Sequence, residues 1–206
     1  MTKRIGNGTL FALLLLAVFP LVACRSVGGV REPEQSALVS AVGVDADAGG
    51  VRLSLEVLMP QQEGGEGLRA RVISATAADA ETAYGRICAG LPREPVFAHC
   101  AVLVMGDGVS DDDGNALLRE SMLPPEMQVV SAPDAWALLS LGSLSTPAAG
   151  YDLQAILARS PGISCRVYEL LATGDGWRTA LPRFLPAPAG CGRLVDLQSG
   201  DTEVTE

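Results

Sequence analysis

The chain has 206 residues, of which 48% are hydrophobic and 4% aromatic, and a formal net charge of −9 at pH 7. That length allows one domain, at most two, with enough apolar side chain for a sizeable core. The acidic balance repels phosphate and anionic headgroups and so argues against nucleic-acid binding.

At the N-terminus, Lys3 and Arg4 form a short basic start, Leu10–Phe19 is an uncharged apolar run, and Leu21-Val22-Ala23-Cys24 follows. The apolar stretch is shorter than the ~20 residues a spanning helix needs, so residues 1–23 are expected to be a secretory signal. Leu-Val-Ala-Cys resembles the bacterial lipobox, where the cysteine sulfur takes a diacylglyceryl group and cleavage follows the preceding alanine. Cys24 is therefore the expected lipid attachment, and the mature chain is expected to be a lipoprotein on the extracytoplasmic face of a membrane. Acyl chains contribute ~0.8 kcal/mol per buried CH₂, enough in combination for stable anchoring. Loss of Lys3 and Arg4 with the leader makes the mature chain more acidic still. Cys88, Cys100, Cys165 and Cys191 remain, and the sequence leaves open whether and how they pair.

Residues 24–35 read as a tether. Residues 37–45 and 51–60 read as two strands of a hairpin turned at "DADAGG". The second alternates, with Val51, Leu53, Leu55 and Val57 on one face and Arg52, Ser54 and Glu56 on the other. Residues 61–67 form a loop and 68–76 a third strand. Thr76 is a candidate cap for a helix carrying Ala80, Ala83, Tyr84, Ile87, Cys88 and Leu91 at helical spacing. "HCAVLVMG" reads as a fourth strand, 107–126 as an acidic turn and short helix, and 127–132 as a fifth strand. Three short helices come next, from Pro133, over 151–160 and over 165–173, before a Pro/Gly-rich boundary at 182–192. The expected fold is α+β: one domain over 36–186, with a mixed sheet of about five strands and flanking short helices. Residues 187–206 read as that boundary and then the start of a second domain.

Candidate chemistry is sparse. His99, the single histidine, adjoins Cys100. Neighbours on a strand point to opposite faces, whereas a nucleophile and its base must lie within about 2.6–3.2 Å, so the pair reads as packing rather than catalysis. The cysteine spacings lack the C-x₂₋₄-C element of zinc sites. Asp111, Asp113, Asn115 and Glu120 fit part of a twelve-residue calcium loop around Gly114, but Val109 stands where the first carboxylate ligand belongs. The acids read instead as a helix N-terminus favouring carboxylates. Trp136 and Tyr168 read as core residues. No cofactor, metal or catalytic residue is expected.

The order of motifs resembles the N-terminal domain of the GerAC-like lipoproteins, the C subunits of spore germinant receptors. The resemblance rests on the lipobox cysteine, "SAVGVD" (40–45), "VRLSLEVLMP", Leu91–Pro92, "FAHCAVLVMGD" (97–107), "LPPEMQVV" (123–130), "RVYELLA" and "LPRF". It departs from the family in having Ala98 where glycine precedes the histidine, and in ending at Glu206, where the usual later domains would begin. The resemblance implies a non-catalytic, lipid-anchored subunit at the spore inner membrane. Its partners would be an integral membrane receptor subunit and a transporter-like subunit, in nutrient-triggered germination. The alternative is an exported lipid-anchored protein that itself binds a small molecule; an exported hydrolase lacks any nucleophile–base constellation.

Overall fold

The computed structural model describes residues 36–60, 67–120, 123–142, 146–160, 165–173, 181–186 and 192–196, all within the compact unit Ser36–Glu206. The expected signal sequence, Cys24, the expected tether, most of the 61–67 loop, Cys191 and the tail from 197 lie outside the described residues.

β1 (Ser36–Asp47) and β2 (Gly50–Pro60) form the expected antiparallel hairpin, closed by Ala48–Gly49. Gly50 sits at φ +118°, where a Cβ would strike the Ala77 carbonyl, so only glycine fits. β3 (Leu68–Ala77) pairs antiparallel with β2 along its whole length. α1 (Ala80–Gly90) comes next. Its cap is Asp79, which accepts from the Thr82 N–H at 2.7 Å, and not Thr76, which β3 retains as a strand residue.

The expected fourth strand, from His99, begins only at Val102, and a short extra strand precedes it. β4 (Glu94–Val96) and β5 (Val102–Gly106) both run parallel to β1, separated by a turn that holds His99. Ser40 is the extra residue of a bulge in β1, and the Ala101 N–H donates to its carbonyl at 2.8 Å. α2 (Asp111–Leu118) carries the chain to β6 (Gln128–Ala132), parallel to β5. Then come α3 (Ala135–Ser140), α4 (Ala149–Ala158), β7 (Cys165–Arg166), α5 (Val167–Thr173), β8 (Pro182–Pro186) and β9 (Gly192–Asp196).

The fold is the expected α+β with a mixed sheet, which among the described residues has nine strands rather than about five. Its order is β3-β2-β1-β5-β6-β8-β9, with β4 also on β1 and β7 on β6. β4 and β7 are too short to show a two-residue period. Prolines at both ends of β8 hide it from a sequence pattern, although a strand tolerates them there. β8 and β9 carry the sheet past the expected Pro/Gly-rich boundary.

Apolar layers cover both faces. Val42, Val44, Leu53, Leu55, Leu103 and Met105 pack with Ile87 of α1, Leu117 of α2 and Leu170 of α5. Val102, Val104 and Val130 pack on the other side with Leu138 and Leu139 of α3 and Leu153 and Leu157 of α4. The alternation of β2 therefore does not separate core from solvent: Ser54 and Glu56, on its polar face, are as buried as Leu55.

Candidate functional site

The buried polar face of β1 and β2 concentrates the unusual chemistry of this fold. Glu56 is 1% exposed in the middle of β2. The Ala149 N–H donates to its Oε1 at 2.7 Å, the Gly150 N–H to its Oε2 at 2.8 Å, and the Ser40 hydroxyl to Oε2 at 2.8 Å. The first residue outside α4, Ala148, has no side-chain cap, so a glutamate remote in sequence supplies the missing acceptor. The bulge at Ser40 aims its hydroxyl at that carboxylate. Gly150 permits the approach: a Cβ there would lie 2.7 Å from the Ser40 carbonyl oxygen and 2.8 Å from Ala41 Cβ.

A second carboxylate repeats the device at the C-terminal end of β1. The Ala135 and Trp136 N–H groups donate to Asp45 Oδ1 and Oδ2 at 2.7 and 2.9 Å. Asp134 caps the same helix from within, accepting from the Ala137 N–H at 2.8 Å. Arg52 lies 3.1 Å from both Asp45 and Asp134, and its guanidinium sits 5.3 Å from the Trp136 ring centroid. Burial pulls the Arg52 pKa down, but the hydrogen bond and charge of Asp45, then those of Asp134, outweigh it and raise the pKa. At Gly106, on neighbouring β5, a Cβ would collide with Asp45 Oδ1. Arg183 of β8 pairs with Asp107 just beyond. Both acids thus spend their acceptors on helix backbone and neighbouring side chains. They are anchors that fix α3 and α4 to the sheet.

The residues singled out from sequence are dispersed. His99 is exposed in its turn, while Cys100 is buried and its thiol is pushed up to about 12 by burial. Cys165 is pushed up to about 11, by burial first and then by Glu169. Cys88, Cys100 and Cys165 are free thiols. Asp111, Asp112 and Asp113 occupy the first turn of α2, capped by Ser110, and Asn115 lies within the helix, so this segment winds as a helix where a calcium loop would wrap around an ion. Among the described residues, no three His, Cys, Asp or Glu side chains converge as metal ligands. Trp136 and Tyr168, expected in the core, are 41% and 42% exposed. Ala135, Leu138 and Leu139 of α3 and Val167 and Leu170 of α5 fill the core instead. A hollow between α1 and the sheet, lined by Val42, Leu53, Tyr84, Phe97 and Leu123, encloses about 10 Å³. That is room for about one water, far below the ~300–1,000 Å³ of small-molecule sites.

Sequence reasoning missed Asp45 and Glu56 as anchors. The available signal was an acid on the polar face of a strand whose neighbours are otherwise apolar, together with a later helix that starts at Ala-Ala-Gly without a cap.

A mixed sheet with α3 and α4 held to it by buried carboxylates is the frame of this α+β domain. The family model described as the spore germination protein N-terminal domain matches residues 29–159, and this chain belongs to that family. No curated protein and no solved structure matches it.

Proposed function

We propose that this chain is the lipid-anchored, non-catalytic C subunit of a spore germinant receptor. It is attached through Cys24 to the outer face of the spore inner membrane and assembled there with an integral membrane receptor subunit and a transporter-like subunit. The observation that carries the reading is the family match over 29–159, directly downstream of the Lys3–Cys24 leader and lipobox. In this layout residues 1–23 are removed, 24–35 tether the domain, and the receptor domain runs from 36 through β9, which continues its sheet. The physical logic is effective concentration: a lipid anchor confines the domain beside its membrane partners, so modest surface contacts suffice for assembly. The α+β sheet, with α3 and α4 held to it by Asp45 and Glu56, supports this reading as a folded surface that membrane partners can contact.

The test is isolation of the chain from detergent-solubilised spore membranes, with mass spectrometry of its N-terminus. The reading expects acylated Cys24 as the first residue and stoichiometric membrane subunits alongside it. An unprocessed N-terminus, or a chain that extracts alone, would overturn it.

A further inference from the structure

One surface open to a partner among the described residues is the edge of β3. This ten-residue strand ends the sheet, with β2 as its one strand neighbour among the described residues. A long exposed edge is a template for another strand, and proteins guard such edges unless they use them. β3 has no proline, and Val72, Ile73 and Ala75 are half-buried apolar residues along it. α1 flanks it on one face and α3 on the other, so an added strand would enter a bordered groove.

The two faces of that groove differ in chemistry. Register with β2 puts Arg69, Arg71, Ile73 and Ala75 on the α1 face, opposite Met59, Val57, Leu55 and Leu53. Arg69 and Arg71 are exposed, and neither is paired with an acid among the described residues. In a chain of net charge −9, two adjacent cations on one edge form a local reversal of field. Cross-strand neighbours interact directly, so a strand laid on this edge gains by placing acids opposite the two arginines and apolar residues opposite Ile73 and Ala75.

We propose that the β3 edge is a strand-addition site for an extended acidic segment of a partner protein. Alternate residues of that segment are acidic against Arg69 and Arg71, then apolar against Ile73 and Ala75. The recognition mode is β-augmentation: backbone hydrogen bonds supply affinity and the alternating side chains supply register. The inference rests on the subunit reading only for the identity of the partner; the edge itself is tested without it.

The probe is a capped eight-residue peptide with two glutamates and two valines at alternate positions and threonines between, made in both chain directions. Its Lys-for-Glu counterpart is the control. Binding to the full chain is followed by titration and by hydrogen exchange of the β3 amides. The proposal expects one direction of the acidic peptide to bind, to protect β3 selectively, and to weaken with salt. R69E/R71E should lose about tenfold or more for that peptide and gain for the lysine peptide, by reversal of two cross-strand charge pairs. Circular dichroism and a thermal midpoint check that the double variant folds. Absence of binding, protection away from β3, or affinity unchanged by R69E/R71E would overturn the proposal. So would sedimentation showing that β3 pairs with a second copy of the chain. If wild type and R69E/R71E co-isolate equally with membrane subunits, the edge inference fails and the subunit reading stands. If wild type co-isolates with none, the subunit reading fails and the peptide titration alone judges the edge.

Discussion

Replacing Glu56 with glutamine probes the anchoring of α4 with almost no change of shape. The carboxylate uses both oxygens as acceptors, one for the Ala149 N–H and the other for the Gly150 N–H and the Ser40 hydroxyl. An amide offers one acceptor oxygen and turns an NH₂ toward the remaining donors. One N–H therefore loses its partner inside the protein, and the surviving bonds lose their charge assistance. Hydrogen bonds to a charged group contribute ~1.5–3 kcal/mol, and an orphaned buried donor costs ~1–3 kcal/mol. Glu56→Gln should thus destabilise by ~2–4 kcal/mol, a large share of the ~5–15 kcal/mol that a whole domain has. Urea unfolding of the full chain measures the loss, and hydrogen exchange of the Ala149 and Gly150 amides localises it. Glu126→Gln is the control: Glu126 pairs with Arg166 on the surface, at 70% side-chain exposure, and should change stability by less than ~1 kcal/mol. If Glu56→Gln matched wild type within ~0.5 kcal/mol and left Gly150 equally protected, the anchoring argument would be wrong.

Gly106→Ala should cost ~1–3 kcal/mol through overpacking against Asp45 and raise exchange at the Ala135 and Trp136 amides; an unperturbed α3 would contradict it. Asp79→Ala should fray the first turn of α1. Hydrogen bonding from Thr82 holds the Asp79 pKa below its ordinary 3.8, so its contribution is full above that pH and fades as pH falls through the lower folded value. The gap in α1 exchange between wild type and Asp79→Ala should therefore close in acid, and a gap that widened there would refute the capping role. For the buried thiols the sign is opposite. Cys100, at about 12 folded against an ordinary 9.0, contributes stability below pH 9 that is lost as pH rises toward 12. Site-resolved iodoacetamide labelling of native protein at pH 8 should modify half-buried Cys88 before Cys100 or Cys165; equal rates would refute the burial assigned to them.

Much of the scaffold was legible in the sequence because its period was intact. The hairpin of β1 and β2, the length of β3 and the existence of α1 all derive from apolar spacing and turn residues. What escaped was decided by tertiary partners. β8 is a strand because Ser131 of β6 pairs with Arg183 and because Phe184 is buried, neither of which a proline-bounded pentapeptide reveals. The run from His99 to Gly106 reads as one strand in sequence, but its first residues turn, with the Ala101 N–H meeting the bulge at Ser40 across the strands. Trp136 was misplaced because the tryptophan rests on Arg52 at the surface while smaller leucines of α3 fill the core. Asp45 and Glu56 could be placed on strands, but the helix ends they hold lie some ninety residues away in the chain.

A membrane-held receptor subunit shows itself most directly in germination. Nutrient-triggered loss of optical density should be compared in spores with wild-type chain, spores lacking it, and spores whose copy carries Cys24→Ala. The predicted result is that deletion and Cys24→Ala lose the same germinant response, with the Cys24→Ala chain released from the membrane fraction. A full response in the deletion strain, or in Cys24→Ala spores whose chain has left the membrane, would contradict it.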